Sequence, residues 1–267
     1  MTATDVSSHV GLTTVAARTI LAPPAEPSGR VEMVEHRLSQ AIRLGLILDG
    51  EQLPPETKLA EQLGVSTVTL REALAVLRQQ GLITTRRGRG GGTFVQAPAD
   101  LVQRLVQRLR QFTTQELRDL GDHRGAVSGM AARLAAERAL PEEVQSLTRQ
   151  VERLRAAGTT SERRRADTQF NIQVAAAAQS PRLTREELRL RAEVGDLLWL
   201  QLDENDHQAS VVARAELVEA ISRRQPFRAR ELAEQHVSTD TARMLQLRLR
   251  LYAVGRTGST DAFGRTP

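Results

Sequence analysis

Between Leu53 and Val95 the chain reads LPPETKLAEQLGVSTVTLREALAVLRQQGLITTRRGRGGGTFV, and this segment carries the clearest structural signals in the sequence. In its first half, apolar residues recur at steps of three and four, which predicts two short helices that each bury one face. Gly64 separates the two helices. Ser66 stands at the N-cap position of the second helix, where its hydroxyl can accept a backbone N–H, so this helix is predicted to begin near Thr67. The expected core positions are Leu59, Leu63, Val65, Leu70, Ala73, Leu74 and Leu77.

The second half of the stretch predicts a basic hairpin. Two runs, 82–85 and 93–95, are rich in β-branched residues, and RRGRGGG between them supplies glycines for positive φ. Arg86, Arg87 and Arg89 fall at the expected tip, where guanidiniums suit a phosphate backbone or a narrow minor groove. A basic hairpin alone is equally compatible with a solvated surface. Joined to the helix pair, it favours contact with DNA.

A helix pair followed by a hairpin is the pattern of a winged helix-turn-helix. In such a domain the second helix enters the DNA major groove with its N-terminal residues. Here those residues are Thr67, Val68 and Thr69, with Arg71 just beyond. The sequence therefore predicts a DNA-reading element.

These motifs resemble those of the GntR family of transcriptional regulators. They are a Leu-Pro-x-Glu start, a Ser-x-x-Thr-hydrophobic-Arg-Glu-Ala-Leu helix, a Gly-Leu pair and a Gly-x-Gly-Thr-Phe-Val wing, and the chain carries them at 53–56, 66–74, 81–82 and 90–95. The resemblance implies that DNA is bound by a small set of residues. They are Thr57, Lys58, Ser66, Thr67, Thr69, Arg71, Arg86, Arg87, Arg89 and Gly90.

Two residues depart from the pattern of the family. Relatives usually carry Arg directly after the Glu of the first motif and directly after the Ser of the second, whereas this chain has Thr57 and Thr67. An arginine can hold guanine through two hydrogen bonds, but a threonine offers one hydrogen bond and a methyl group. The operator sequence of relatives is therefore not expected to transfer to this chain.

The composition excludes several classes of site. The 267 residues are enough for two modest domains, and they contain no cysteine, which excludes disulfides, zinc ribbons and thiol nucleophiles. The net charge of +5 arises from 37 basic and 32 acidic residues, which fits localised DNA contact better than wrapping. No apolar run is long enough to span a bilayer, and the N-terminus does not resemble a signal peptide. We expect a cytoplasmic protein without a membrane partner.

The rest of the chain predicts helices only, so the expected fold is mostly α: an N-terminal winged helix-turn-helix with a small β-hairpin wing, then an all-α antiparallel helical bundle. The expected division is a disordered arm at 1–29, a DNA-binding domain at 30–97, a helical effector-binding and dimerisation domain at 98–253 and a flexible tail at 254–267. Outside the motif, helices are expected at 31–48, 100–112, 114–139, 141–157, 162–179, 181–202, 207–224 and 226–251.

The helical half resembles the FCD domain of the FadR branch of GntR regulators, through Leu117–Ala139, Asp167–Asn171 and Arg214–Ile221 leading to His236. Metal-binding members of that branch hold the ion with one Asp and three His. The positions that match here are Asp167, Asn171, Arg214 and His236. Two imidazoles are missing, and an arginine cannot ligate a cation because it has no free lone pair. We therefore predict no metal and no other cofactor.

The same resemblance places Arg124 in the cavity, where it meets the acid group of an effector. With Arg214 and His236 it would form an anion-selective site, because a guanidinium holds a carboxylate through two hydrogen bonds. Asp167 and Asn171 complete the predicted effector site, and a small organic acid or an acyl thioester is the predicted effector. The alternative is that Arg214 only neutralises Asp167 inside a closed bundle.

The sequence features bear on three classes of function. The first is a homodimeric regulator, a repressor in the usual case, that binds an inverted-repeat operator and responds to its effector. The second is a constitutive DNA-binding protein whose helical domain only dimerises, which the two missing histidines favour. The third, an enzyme, is disfavoured, because no Ser/His/Asp set can be placed together and the Gly90–Gly92 run precedes a strand, unlike a phosphate-binding loop.

Overall fold

A computed structural model of the chain describes residues 29–88, 90–96, 100–200 and 203–257. Residues 1–28 of the predicted arm, Arg89 of the predicted wing tip and residues 258–267 of the predicted tail lie outside this part.

The predicted fold class is confirmed: the described part contains ten α-helices and one antiparallel hairpin. The first helices and the hairpin are α1 (Arg30–Arg43), α2 (Glu56–Leu63), α3 (Thr67–Gln79), β1 (Ile83–Arg86) and β2 (Gly92–Val95). The remaining helices are α4 (Leu101–Gln111), α5 (Thr114–Arg138), α6 (Pro141–Ala156), α7 (Thr160–Ala177), α8 (Pro181–Val194), α9 (Glu204–Ser222) and α10 (Pro226–Thr257).

The helix-turn-helix forms through the local signals that its sequence carries. α2 ends at Gly64, whose φ of 67° lies in the left-handed region that glycine adopts without strain. α3 begins at Thr67, and the Ser66 hydroxyl accepts a 3.1 Å hydrogen bond from the backbone N–H of Thr69, as predicted. α1 packs beside this pair and completes the core. That core includes Val34, Leu38, Ile47, Leu53, Leu59, Leu63, Leu70, Ala73, Leu74, Leu77, Ile83 and Val95.

The wing is a hairpin in which Ile83 pairs with Val95 and Arg86 with Gly92. A short extended segment joins its other edge, since Leu53 donates its backbone N–H to the Thr93 carbonyl at 2.8 Å. Gly91 makes a close backbone approach, because a Cβ there would lie 2.5 Å from the Arg86 carbonyl oxygen. The glycine-rich tip is therefore required by space as well as by φ.

Two helices end earlier than the sequence predicts. α1 ends at Arg43 rather than near residue 48, because Gly45 turns the backbone with a φ of 66° and Leu44 and Leu46 enter a different hydrophobic cluster. α8 ends at Val194, and a 3₁₀ turn at Leu197–Trp199 follows instead of further α-helix.

The chain folds as two compact units. The first contains the described residues between 29 and 101 together with Gln145–Val174 and Leu188–Asp196, and the second contains Val102–Val144, Ala175–Glu187 and the described residues between 197 and 257. The first unit thus joins the winged helix-turn-helix to parts of α6, α7 and α8. The domain boundary near residue 97 stays a prediction.

Inside the first unit, the helical segments contact the turn that follows α1. Leu44 and Leu46 pack against Ile172 of α7 and Leu188 of α8. Nearby, Arg165 of α7 donates a 3.4 Å hydrogen bond to Glu51.

Inside the second unit, α5 packs along α10 in the antiparallel sense. Thr113 and Glu116 form a capping box at the start of α5. α9 begins at Glu204, three residues before the predicted start, because Asp203 and Asp206 form a second capping box. His207 therefore lies in the first turn of α9, and its side chain is buried.

Candidate DNA interface and effector pocket

The predicted DNA-binding residues of α2 and α3 lie in the first unit at the start of their helices. Thr57 and Lys58 are exposed in the first turn of α2. Ser66 is exposed, whereas Thr67 and Thr69 are partly buried. The Ser66 and Thr69 hydroxyls lie 2.9 Å apart, so one of them donates to the other. The hydrogen bonds of the helix cap therefore hold the Ser66 and Thr69 hydroxyls in place at the N-terminal turn of α3.

Arg71 lies one turn further along α3, and its side chain is 68% exposed. Its Nε donates a 2.7 Å hydrogen bond to Oε2 of Glu56, the first residue of α2. This partner was missed at the level of sequence, although Glu56 and Arg71 belong to two of the motifs quoted above. The two helices of the reading element are thus joined by an ion pair at their exposed ends.

The wing presents its cations in two ways. Arg86 is the last residue of β1 rather than part of the loop, and its guanidinium lies 4.7 Å from the centre of the Phe94 ring. Arg87 is exposed in the loop, and Gly90 there has a φ of 81°. Arg78 of α3 donates a 3.1 Å hydrogen bond to Thr85 of β1, which ties the helix to the wing.

In the second unit, a buried carboxylate brings three of the predicted effector-binding residues together. The Arg124 guanidinium donates a 3.1 Å hydrogen bond to Oδ2 of Asp240, and Nε2 of His236 lies 3.5 Å from the same oxygen. Arg214 donates from Nη1 to Nδ1 of His236 at 2.7 Å. Arg243 donates to the other carboxylate oxygen of Asp240 at 2.5 Å. Arg124, Arg214 and His236 therefore belong to one buried network.

Sequence reasoning missed Asp240, which is the centre of this network. A signal was present, because Asp240 follows His236 by four residues on the same face of α10. Burial on its own would raise the pKa of the Asp240 carboxyl, but His236 and the guanidiniums of Arg124, Arg214 and Arg243 hold that pKa well below its usual range. The carboxylate is thus ionised at neutral pH.

His236 has a polar neighbour at each of its ring nitrogens. Nδ1 lies 2.7 Å from the Arg214 guanidinium, and Nε2 lies 3.5 Å from the Asp240 carboxylate. His236 therefore connects Arg214 to Asp240 within the network.

The other two predicted effector-binding residues lie in the first unit, on α7. Oδ2 of Asp167 accepts a 2.7 Å hydrogen bond from Arg191 of α8, and both side chains are buried. The Asn171 side chain donates to the Asp167 backbone carbonyl at 2.7 Å and to its carboxylate at 3.2 Å. Arg191 was not identified from the sequence, because nothing near residue 191 marks it as a partner of residue 167.

The residues at the four positions that hold a metal in the FCD resemblance do not fit an ion. His236 has both ring nitrogens engaged, Asn171 turns its amide toward Asp167, and Arg214 brings a positive charge. Within residues 29–88, 90–96, 100–200 and 203–257, no group of three or more His, Cys, Asp or Glu is arranged to hold a metal.

Among the helices that the structure describes, none combines the length and the apolar character that crossing a bilayer requires.

Two family models match the chain. Residues 30–95 match the model described as "Bacterial regulatory proteins, gntR family", and residues 116–239 match the FCD domain. The first match covers the helix-turn-helix and the wing, and the second covers most of α5 to α10.

Known proteins match over most of the chain. RmpR of Mycobacterium gastri, named as an HTH-type transcriptional regulator, is 38% identical over 235 residues, which cover 86% of each chain. The Glc operon transcriptional activator of Escherichia coli K12 is 29% identical over 221 residues, which cover 78% of this chain and 86% of the activator. Among solved structures, McbR/YncC of Escherichia coli aligns with a TM-score of 0.48 at 19% identity, over 82% of this chain and 99% of that one. The matching families and relatives are regulators of transcription and not enzymes.

Proposed function

The chain belongs to the GntR family of DNA-binding transcription regulators, with an N-terminal helix-turn-helix and an FCD domain, and on that premise we propose that it is a ligand-controlled repressor of the FadR branch. It binds an inverted-repeat operator as a homodimer in the cytoplasm. A small organic acid or an acyl thioester, bound in the helical domain, controls its affinity for DNA.

The observation that carries the DNA part of the proposal is the exposed N-terminal end of α3 beside a basic wing. Ser66, Thr69 and Arg71 offer hydrogen-bonding groups at the end of the helix that enters a major groove in this fold. Arg86 and Arg87 supply guanidiniums for the phosphate backbone or the minor groove. Thr57, Lys58, Thr67, Arg89 and Gly90 complete the proposed interface.

A homodimer is proposed because one short recognition helix reads few base pairs. Two copies related by a two-fold axis double the contacts and require an operator with matching symmetry. The half-sites are then expected about one helical turn of DNA, roughly 10 base pairs, apart from centre to centre.

The acidic effector is proposed from the network around Asp240. Within the second unit, the guanidiniums of Arg124, Arg214 and Arg243 all act on this one carboxylate. An anionic ligand can share guanidiniums that already converge, because each of them has several N–H donors. His236 orients Arg214, and Asp167 with Asn171 is assigned to the same effector by the family resemblance.

A mobility-shift titration tests the proposal. The purified protein is titrated against its own upstream intergenic DNA and a scrambled duplex, with and without a panel of small carboxylic acids and acyl thioesters. We expect preferential binding to the upstream DNA and its loss in the presence of one class of compound. Arg124→Ala should abolish that response, whereas Arg118→Ala, an exposed change on the same helix, should leave it intact. Retention of the response in the Arg124→Ala protein would contradict the assignment of the pocket.

A constitutive regulator is the second candidate, and the specific observation in its favour is the replacement of two histidine ligands by Asn171 and Arg214. On this alternative the helical domain only dimerises. DNA binding that no compound in the panel alters would support it. A reporter gene fused to the bound promoter gives the sign of regulation: higher expression after deletion of the regulator supports repression, and lower expression supports the activation that the name of one relative describes.

A further inference from the structure

We propose that Glu56 is a specificity-determining residue that positions Arg71 for base recognition. The proposal rests on the proposed DNA-binding function, and it concerns a side chain outside the predicted set of DNA contacts. Glu56 acts through Arg71, so it is a positioning residue and not itself a reader of bases.

The backbone around Glu56 is suited to this task. Glu56 is the first residue of α2 and follows Pro54 and Pro55, whose rings restrict φ and so fix where the helix begins. Its Oε2 lies 2.7 Å from Nε of Arg71 in the second turn of α3. An arginine side chain has several rotatable bonds, and a fixed carboxylate that accepts from Nε removes much of this freedom before DNA arrives.

The atom that Glu56 engages leaves the recognition edge available. Guanine is read through O6 and N7, which accept two parallel hydrogen bonds from a guanidinium. The terminal Nη1 and Nη2 groups of Arg71 can make both bonds while Nε stays on Glu56. One guanidinium can therefore serve the carboxylate and the base together.

Arg71 matters more in this chain than the family pattern implies. The two positions at which relatives carry further arginines are Thr57 and Thr67 here. Across α2 and the first two turns of α3, Arg71 is the only arginine. With no second guanidinium to share the recognition of guanine, the orientation of this one has a larger effect on discrimination.

Because Glu56 is negatively charged, its effect on the affinity for all DNA can be distinguished from its effect on sequence specificity. A carboxylate near DNA repels the phosphates, so Glu56 is expected to weaken binding to every sequence. If it also positions Arg71, it strengthens binding only where a guanine is correctly placed. Removing it should then raise affinity for random DNA while lowering the preference for the true site.

A purely structural role for the pair is disfavoured by its exposure. The side chains of Arg71 and Glu56 are 68% and 42% exposed, and ion pairs that exposed contribute little to stability. Loss of the pair should therefore leave the folded state intact, which makes DNA binding a clean readout.

The test compares Glu56→Gln with Glu61→Gln in the full-length protein. Glu61 is an exposed carboxylate on the same helix, so its replacement removes the same charge without touching Arg71. The probes are the duplex that the wild-type protein selects from a randomised library and a scrambled duplex of the same composition. Thermal melting of each variant confirms that folding is unchanged.

We expect Glu56→Gln to lower the ratio of selected to scrambled affinity by at least about five-fold, the lower end of what one well-placed bidentate base contact contributes. Glu61→Gln should change both affinities in parallel and leave that ratio within about two-fold. In an Arg71→Ala background, Glu56→Gln should have no further effect on the ratio, because the residue that it positions is gone.

The outcomes separate failure of this inference from failure of the proposed function. If the wild-type protein selects no duplex, the DNA-binding proposal itself fails. If it selects one but Glu56→Gln behaves as Glu61→Gln does, Glu56 contributes only charge and the positioning role is wrong. A ratio that falls equally with and without Arg71 would also overturn the inference, since Glu56 would then act by another route.

Discussion

Arg124 of α5 donates a 3.1 Å hydrogen bond to Asp240 of α10, and both side chains are at most 5% exposed. Removing one partner of a buried ion pair leaves an uncompensated charge, which costs more than the pair itself contributes. His236 and Arg243 contact the same carboxylate, so the loss of Asp240 would leave several donors without their common acceptor.

Asp240→Asn should therefore destabilise the second unit by about 3–5 kcal/mol at pH 7. The pKa of Asp240 is lower in the folded state than in the unfolded chain, where the pKa of an aspartate is about 3.9. Its contribution to the unfolding free energy is therefore complete above that value and is lost as pH falls through the lower, folded-state pKa. Urea unfolding between pH 7 and pH 3 should show the gap between wild type and variant narrowing in the acid range.

Asp119→Asn provides the control for that series, because Asp119 is exposed on α5. It should change the unfolding free energy by no more than about 0.5 kcal/mol at any pH. A gap between wild type and Asp240→Asn that stayed constant down to pH 3 would show that Asp240 contributes through packing rather than through its charge.

The elements that the sequence predicted are those decided by near neighbours in the chain. The Ser66 cap, the left-handed Gly64 and the glycine-rich wing depend on residues a few positions apart, and pattern reasoning detects such signals. The residues that it missed act on partners distant in sequence. Arg71 is 15 residues from Glu56, Arg191 is 24 from Asp167, and Asp240 is 116 from Arg124. Such pairs are fixed by helix packing, which period and spacing alone do not determine.

The early end of α1 has a similar cause. Apolar periodicity continues to Leu48, so the sequence predicts a longer helix. In the structure, Leu44 and Leu46 leave that face to pack against Ile172 and Leu188, more than a hundred residues later in the chain. Tertiary packing therefore overrides the local period here.

Replacing Gly121 or Gly125 of α5 by alanine is expected to change the stability of the protein in opposite directions. A Cβ at Gly125 meets nothing within 4 Å, so Gly125→Ala should stabilise the protein by about 0.5–1 kcal/mol through reduced freedom of the unfolded chain. At Gly121, a Cβ would lie 2.6 Å from Oγ1 of Thr241, a stiff β-branched side chain on α10. Gly121→Ala should therefore destabilise, by about 1–3 kcal/mol.

Differential scanning calorimetry of the two variants measures both effects against wild type. A higher melting temperature for Gly121→Ala would show that the contact between α5 and α10 is looser than these distances indicate.

Ile172 connects α7 to the turn that follows α1. Its side chain is fully buried in a cluster with Leu44, Leu46 and Leu188. Ile172→Ala should lower the free energy of unfolding by about 2–5 kcal/mol, whereas Ile172→Val should lower it by about 0.5–1.5 kcal/mol. A local measurement tests the contact with the turn more directly than overall stability does. The backbone N–H of Leu46 donates to the Ala41 carbonyl at 2.9 Å. Hydrogen exchange at this N–H should accelerate in Ile172→Ala.

Val174→Ala is the matched change for that exchange experiment, since Val174 is also buried on α7 but lies outside the cluster. It should leave exchange at Leu46 close to the wild-type rate once the global loss of stability is subtracted. Equal acceleration in both variants would mean that hydrogen exchange at Leu46 depends on the overall stability of the protein and not on the contact with α7.

The wing and the recognition helix should respond differently to salt. Arg87 is exposed in the wing loop and is suited to contact a phosphate. Arg87→Ala should therefore weaken binding to the selected and the scrambled duplex alike. It should also reduce the slope of log affinity against log salt concentration by about 1. Arg71→Ala should instead reduce the binding free energy for the selected duplex by about 1–3 kcal/mol and that for the scrambled duplex much less, because a base contact is lost in addition to a charge. Fluorescence anisotropy titrations from 50 to 200 mM salt measure both quantities. Equal losses on the two duplexes for Arg71→Ala would show that this arginine contacts only phosphate, and the role of α3 in reading the sequence would then have to rest on Ser66, Thr67 and Thr69.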